Sequence, residues 1–359
     1  MSMNRKTVRQ AKVAALAVAA ILGTASLALA AQQPARQGRN APQTPPPAQA
    51  PNFDNVQINV LPVRDNVYML VGAGGNITLQ VGEDGVLLVD TQFAPLSEKI
   101  LAKVREISKG PLRYIINTHA HGDHTGGNAN LSKAGASVAG GNMLGPLAVA
   151  AQGQGGQAAA GSTATILAHE NVLMRMEQQI GNQPPAASDA VPNVTYIGDF
   201  KDLYFNGESI RLFYEPNAHT DGDTMVYFRR SDVLSTGDIY NTNSYPIIDK
   251  ARGGHINGVV AALNHILEIT IPRDRQEGGT MVIPGHGRLS DEADVAEYRD
   301  MVTIIRDRIK DMVDRGLTLE QVKAAKPTID YDPRYGAGTG LGSTDRFVEV
   351  VYNDLKEGA

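Results

Sequence analysis

Short apolar runs separated by turn residues recur along the chain from about residue 53, and this pattern predicts β-strands. In the first half, the predicted strands cover residues 67–71, 76–81, 86–90 and 113–117. A second set covers residues 210–214, 225–228, 233–236 and 280–284. The Gly-Glu-Asp-Gly sequence at 82–85 predicts a hairpin turn.

Apolar residues at helical spacing predict helices between and after these strands. The predicted helices cover residues 97–108, 167–179, 259–269, 291–315, 318–325 and 347–356. Strands and helices therefore occur in two similar sets. This arrangement predicts an α/β (α+β) fold, namely a four-layer αββα sandwich of two sheets between helices, with extra C-terminal helices.

The N-terminal segment has the pattern of a secretory signal peptide. Four basic residues among the first 12 precede an apolar stretch at 13–30, which ends in Ala28-Leu29-Ala30. A cationic start, an apolar middle and an A-x-A exit predict a cleavable signal peptide at residues 1–30. A membrane anchor is the alternative, although the apolar length is marginal for a span. The prediction implies export to the periplasm or beyond, with no stable membrane span after cleavage.

Three segments are rich in residues that interrupt regular structure. Residues 31–52 are rich in Pro, Gln and Ala, and we expect a disordered linker there. The Gly- and Ala-rich residues 141–165 predict an active-site flap or a disordered insert, and residues 182–192 predict a loop.

The composition fits a globular domain and narrows the chemistry. Apolar residues make up 42% of the chain and charged residues 20%. The net charge is −5, and it would become −9 on removal of residues 1–30, which carry four positive charges and no negative ones. Because phosphate binding needs clustered Lys and Arg, nucleic acid is not a predicted partner. The chain has no Cys, so any metal must be held by His, Asp or Glu.

The main chemical signal is the sequence His-Ala-His-Gly-Asp-His at residues 119–124. Three of the eight histidines of the chain lie within these six positions, directly after a predicted strand. A strand end is a rigid mount for converging side chains, and the nearby glycines allow a tight backbone path. Imidazole and carboxylate together suit Zn²⁺. We therefore predict a metal site here rather than a chance cluster of surface histidines.

The HAHGDH motif resembles the signature of the metallo-β-lactamase superfamily. Three later elements stand in the order that this family expects: His219 in Asn-Ala-His-Thr, Asp238 in Ser-Thr-Gly-Asp, and His286 in Pro-Gly-His-Gly. The resemblance covers roughly residues 60–297. It implies a metallo-β-lactamase-fold catalytic domain at 53–300, with residues 301–359 as a helical extension packed on it.

The resemblance also implies two Zn²⁺ ions per chain and a set of ligands for each. His119, His121 and His219 would hold one metal, Asp123, His124 and His286 the second, and Asp238 would bridge them. In diiron members of the family, the second motif residue is usually Glu, so His121 favours zinc. The family's thiolate-containing lactamases carry a Cys near position 238, which this chain lacks.

The expected activity is hydrolysis of an amide or ester bond in a small molecule by a metal-bound hydroxide. Export favours a β-lactam or lactone ring as substrate, and Asp123 and Asp238 are the expected catalytic residues. A thioesterase of the glyoxalase II type and a phosphodiesterase are the hydrolase alternatives. A diiron redox protein and a non-catalytic periplasmic scaffold are the alternatives from other classes. The sequence makes no prediction of oligomeric state.

Other polar residues near the motifs are weaker candidates. Tyr240, Asn241 and His255 are tentative substrate contacts, because they follow the predicted ligands or precede a helix close to them. Asp221 and Asp223 could orient the imidazoles.

Overall fold

The computed structural model describes residues 52–137, 163–275, 278–340 and 342–358. The predicted signal peptide, almost all of the predicted linker and nearly all of the 141–165 segment lie outside the described residues. The residues from Asn52 onwards belong to one compact unit.

The first sheet has seven strands in sequence order: β1 (Asn59–Arg64), β2 (Val67–Val71), β3 (Ile77–Gly82), β4 (Gly85–Val89), β5 (Leu112–Ile116), β6 (Thr165–His169) and β7 (Val194–Tyr196). Strands β1 to β4 pair antiparallel, whereas β4 to β7 pair parallel. The carboxyl ends of β4, β5 and β6 therefore meet at one edge of the sheet.

The second sheet has six strands: β8 (Phe200–Phe205), β9 (Glu208–Glu215), β10 (Asp223–Phe228), β11 (Val233–Ser235), β12 (Met281–Ile283) and β13 (Ser290–Asp291). Their order is β13-β12-β11-β10-β9-β8, and only the β11–β12 pair is parallel. The carboxyl ends of β11 and β12 thus lie side by side.

The described helices are α1 (Ser97–Ile107), α2 (Gly122–Thr125), α3 (Asn128–Lys133), α4 (Glu170–Glu177), α5 (Ile256–Ile269), α6 (Glu292–Asp314), α7 (Leu319–Ala325), α8 (Asp332–Tyr335) and α9 (Thr344–Glu357). Thr318 caps α7 as part of a capping box, and Asp291 caps α6. The domain boundary expected after residue 300 falls inside α6. None of the described helices has both the length and the apolar character needed to cross a bilayer.

Successive side chains along a strand point to opposite faces of the sheet, and this alternation produces the layers. In β4, Leu87 and Val89 face the second sheet, whereas Val86 and Leu88 face α1. A third apolar cluster packs the second sheet against α5, α6 and α9. The four-layer αββα sandwich is therefore confirmed.

The helix predicted over residues 167–179 is wrong in its first part. The buried run from Ile166 to Ala168 belongs to β6, which pairs with β5 and β7, and the helix begins only at Glu170. A short apolar run fits either a strand or a helix, and pairing with two neighbouring strands decides for the strand. Strands β1, β7, β8 and β13 were not predicted, and all four are edge strands of their sheets.

A pair of adjacent isoleucines in α6 tests the packing of the outer helical layer. Ile305 is fully buried in the apolar cluster that packs the second sheet against α5, α6 and α9, whereas Ile304 is 39% exposed. We expect Ile305→Ala to lower the free energy of unfolding by about 2–5 kcal/mol. Urea unfolding would measure it, with Ile304→Ala as the matched control, for which we expect well under about 1 kcal/mol. Equal losses in the two variants would contradict this packing.

Candidate metal centre

The residues singled out by sequence lie where the two sheets meet at one edge. The 119–124 motif follows β5, and Asp123 and His124 stand on the single turn α2. His219 lies in the β9–β10 turn, while Asp238 follows β11 and His286 follows β12. A backbone hydrogen bond from Thr224 to Thr118, 2.8 Å long, ties the two sheets together beside the motif. The fold therefore brings all seven side chains to one place.

The first group consists of His119, His121 and His219. One ring nitrogen of each lies within 4.8 Å of the others. His219 Nε2 is 2.9 Å from His121 Nδ1. Three imidazoles that present nitrogen atoms to a common point form one face of a metal site.

The second group consists of Asp123, His124 and His286, whose ligand atoms also lie within 4.8 Å of one another. His286 Nε2 is 3.3 Å from Asp123 Oδ2 and 3.4 Å from His124 Nε2. This group faces the same space as the first.

Asp238 lies between the two groups. Its Oδ1 is 3.2 Å from His124 Nε2 and 3.4 Å from His286 Nε2. Its Oδ2 is 3.7 Å from His219 Nε2. One carboxylate oxygen therefore faces each group, which is the placement that a bridging ligand needs.

The donor set fits divalent zinc. Within the described part of the chain, His119 Nε2 and Asp238 Oδ1 are buried atoms without a hydrogen-bond partner, and both are directed at the centre. Such atoms carry a desolvation cost that coordination would offset. Five imidazoles and two carboxylates, with no thiolate, suit zinc. Ligation by these seven residues stays a prediction.

Hydrogen bonds on the far side of three of the rings fix which nitrogen faces the centre. His124 Nδ1 donates to Asp90 Oδ2 over 2.7 Å, and His121 Nε2 donates to Asp249 Oδ2 over 2.8 Å. His219 Nδ1 donates to the carbonyl of Ile247 over 2.5 Å. These partners leave the opposite nitrogen of each ring free for a metal.

Asp90 serves several groups at once. Besides His124, it accepts from the Thr118 backbone N–H at 2.9 Å and the Thr118 hydroxyl at 2.7 Å. That hydroxyl in turn lies 3.0 Å from His119 Nδ1. Sequence reasoning missed both Asp90 and Asp249. An acidic residue at the end of β4, next to the motif strand, was the available signal for Asp90, whereas Asp249 had none.

The electrostatics match the needs of a cation site. Burial lowers the pKa of His219 to about 4 and holds that of His119 well below its usual value, so both rings are neutral at pH 7. Burial alone would raise the pKa of Asp238, but His124 and His286 hold it well below its usual range. The carboxylates outweigh burial at His286 and raise its pKa to about 9. The same negative potential attracts a divalent cation.

Two glycines let the backbone approach the centre. A Cβ on Gly75 would lie 2.2 Å from His124 Cε1, and one on Gly285 would lie 2.1 Å from Asp238 Oδ1. Any side chain at these positions would displace a ring or carboxylate of the centre.

A cleft of about 550 Å³ opens onto the centre. Phe93 and Ile247 supply apolar surface, while Asn243 and Ser244 supply polar groups. This size and mixture suit a small organic molecule.

The three tentative substrate contacts have different positions. Asn241 lines the cleft, and its Oδ1 accepts from the backbone N–H of His286 over 2.8 Å, so it also positions that ligand candidate. Tyr240 does not line this cleft: it is 1% exposed, and its hydroxyl donates to Ser290 of β13. His255 does not line this cleft either, because its ring caps α5 by accepting from the backbone N–H of Asn257.

The two aspartates expected to orient imidazoles contact other groups instead. Asp223 accepts from the backbone and hydroxyl of Thr220, and Asp221 pairs with Arg175. They stabilise the turn that carries His219 rather than its ring.

Fold and site together define an αββα domain with a candidate dinuclear metal centre. The profile of the Metallo-beta-lactamase superfamily matches residues 70–286, and the chain belongs to that family.

Two curated relatives illustrate the range of the family. A linear primary-alkylsulfatase from Pseudomonas sp. is 23% identical over 70% of this chain and 50% of its own length. A type 2 metallo-beta-lactamase from Bacillus cereus is 20% identical over 61% of this chain and 69% of its own length. The chain therefore spans half the length of the alkylsulfatase.

Among solved structures, a stereoselective inverting sec-alkylsulfatase from Pseudomonas sp. superposes with a TM-score of 0.55 at 17% identity. The match covers 82% of this chain and 50% of that one. At 17% identity, this structural similarity supports the assignment of the fold alone.

The variant Asp90→Asn tests whether Asp90 orients the ligand candidates His124 and His119. Asp90 has a φ of 64°, a conformation that Asn also tolerates, so the backbone should persist while the carboxylate is lost. We expect zinc affinity, measured by competition with a chromogenic chelator, to fall about 10–100-fold.

Asp65→Asn is the matched control. Asp65 has a φ of 48° and lies in the exposed turn between β1 and β2, outside the centre. Unchanged zinc affinity in Asp90→Asn would show that Asp90 does not orient the ligands.

Proposed function

We propose that the chain is an exported two-zinc hydrolase that opens an ester or amide bond of a small molecule, such as a lactone or β-lactam ring. The position of Asp238 carries the proposal. Its two oxygens face different ligand groups at 3.2 and 3.7 Å. A single carboxylate placed in this way would be available to both metal positions.

The bound ions would supply an activated water and polarise the carbonyl that it attacks. The two carboxylates of the centre, Asp238 and Asp123, differ in solvent exposure, and this difference indicates different roles. The Asp238 side chain is 5% exposed and acts as a holding group. The Asp123 side chain is 29% exposed and lines the cleft. Asp123 is therefore the carboxylate that can both hold a ligand position and accept a proton from the attacking water.

The cleft walls can place a substrate over the centre. Phe93 and Ile247 offer an apolar seat, and the amide of Asn243 and the hydroxyl of Ser244 can orient polar substituents. The net charge of −5 and the small cleft disfavour nucleic acids. These features support a small-molecule substrate.

Sulfate ester hydrolysis is a second candidate. It is favoured by the alkylsulfatase relative, which aligns with 70% of this chain. Thioesters and phosphodiesters remain the other hydrolase candidates. The non-hydrolase candidate is a diiron redox protein, which His121 disfavours and which elemental analysis of the purified chain would separate from a zinc enzyme.

His121→Ala tests the function. It removes one of the three imidazoles of the first group, so we expect turnover to be abolished and zinc to fall from about two to about one per chain. Turnover would be measured with nitrocefin, acyl lactones, thioesters, bis(p-nitrophenyl) phosphate and alkyl sulfates. Metal content would be measured by elemental analysis.

His265→Ala is the control for that variant. His265 pairs with Glu215 on the far side of the second sheet, outside the cleft. Wild-type activity is expected there. Full turnover in His121→Ala, or iron in place of zinc in the wild type, would refute the two-zinc hydrolase.

Export has its own test. If residues 1–30 form a signal peptide, the mature protein from a bacterial periplasmic fraction begins at Ala31, as intact-mass measurement would show. A large residue at the cleavage position, as in Ala30→Phe, should block processing. A periplasmic protein that keeps its first 30 residues would contradict cleavage.

A further inference from the structure

A buried carboxylate on the last helix contacts the segment that orients the first ligand group. Asp354 on α9 is 1% exposed. It accepts from Lys250 Nζ and, over 2.7 Å, from the backbone N–H of Ile256. His255 Nδ1 lies 3.1 Å from the same carboxylate. Asp354 therefore fixes two points, six residues apart, on the segment at 247–256, which we call the orienting segment.

The orienting segment holds two rings of the first group. The carbonyl of Ile247 accepts from His219, and the carboxylate of Asp249 accepts from His121. Asp249 is adjacent to Lys250, the residue that Asp354 binds. A displacement of Lys250 would therefore move the partner of His121.

The segment is stiff enough to transmit this restraint. Asp249 accepts from the backbone and side chain of Arg252 at 3.2 and 2.6 Å. Gly254 donates to the Asp249 carbonyl over 2.8 Å, and the Asp249 backbone N–H donates to the His219 carbonyl over 2.9 Å. Fixing Lys250 and Ile256 thus fixes the geometry between them.

The second group has different supports. His124 is oriented by Asp90, and the backbone of His286 by Asn241. In the described residues, neither support forms a hydrogen bond with α9. The two halves of the centre therefore differ in their dependence on the last helix.

We propose that Asp354 is a positioning residue for the first metal group, made by His119, His121 and His219, and that it acts through Lys250 and the orienting segment. This inference rests on the proposed two-metal function. Asp354 itself touches neither the cleft nor the ligand side chains.

Helix α9 has packing contacts that do not depend on Asp354. Phe347 stacks on Tyr245 with ring centroids 4.8 Å apart and planes 4° apart, and Val351 is fully buried. We therefore expect Asp354→Asn to fold, with loss of the ion pair and little change in shape.

The experiment measures zinc affinity in two backgrounds that each leave one group complete. His286→Ala leaves the first group, and His121→Ala leaves the second. Asp354→Asn is added to each full chain, and zinc affinity is measured by chelator competition. We expect an affinity loss of about 10-fold in the His286→Ala background and none in the His121→Ala background.

Two further variants sharpen the result. Glu349→Gln, the matched control, removes a carboxylate from the same helix that forms an exposed ion pair with Lys323, and it should change neither affinity. Lys250→Gln should reproduce the selective loss from the other side of the contact. Adding it to Asp354→Asn should bring no further loss.

Equal losses in both backgrounds, or none in either, would overturn the role of Asp354 while leaving the two-metal centre in place. A wild type that takes up no zinc would overturn both the proposed function and this inference. Zinc binding without turnover of any tested substrate would count against the hydrolase alone.

Discussion

The structure depends on bringing candidate ligand atoms from four chain segments within a few ångströms of one another. The motif after β5 belongs to the first sheet, whereas His219, Asp238 and His286 belong to the second. The apolar cluster between the sheets therefore sets the distance between the ligand candidates of the first sheet and those of the second. The close packing of such a core resists small displacements. It is therefore a suitable base for a site whose atoms must be held at fixed distances from one another.

Gathering so many polar groups at low exposure is costly, and the surrounding contacts show how the fold offsets the cost. Asp90 is 1% exposed and accepts three hydrogen bonds, two from Thr118 and one from His124. Asp223, 2% exposed at the start of β10, accepts two, and burial raises its pKa to about 8. Hydrogen-bonded acidic side chains of this kind lock the loops that carry the ligand candidates.

The sequence predicted the fold and the place of the centre for a physical reason. The ligand candidates follow strands, and strand ends are set by local apolar runs that can be read without tertiary information. Residues whose role depends on contacts across the fold gave no such signal. Asp249 lies 128 positions from His121, and Asp354 lies 104 positions from Lys250.

The residues that the structure places away from the cleft show the same limit, because their side-chain directions depend on contacts across the fold. Tyr240 is only two positions from Asp238, but its ring lies next to Tyr298 in the helical layer, while Asn241 beside it returns to the cleft. His255 caps a helix whose exact start was not predicted. The failure at β6 arose because pairing with two strands, rather than the apolar run itself, determines its conformation. Proximity in sequence therefore identified the neighbourhood of the centre, but side-chain direction required the packed structure.

The helical layer over the second sheet has a role that its position in the sequence does not suggest. Tyr298 of α6 donates to the carbonyl of Ser244, and Tyr245 donates to Asp332 of α8. Both contacts hold the segment that leaves Asp238 and forms one wall of the cleft. Because the cleft wall and the support of His121 lie on one continuous stretch, changes in this layer act on substrate fit and on ligand geometry together. The C-terminal helices are thus part of the structure that builds the site, rather than an appendage to it.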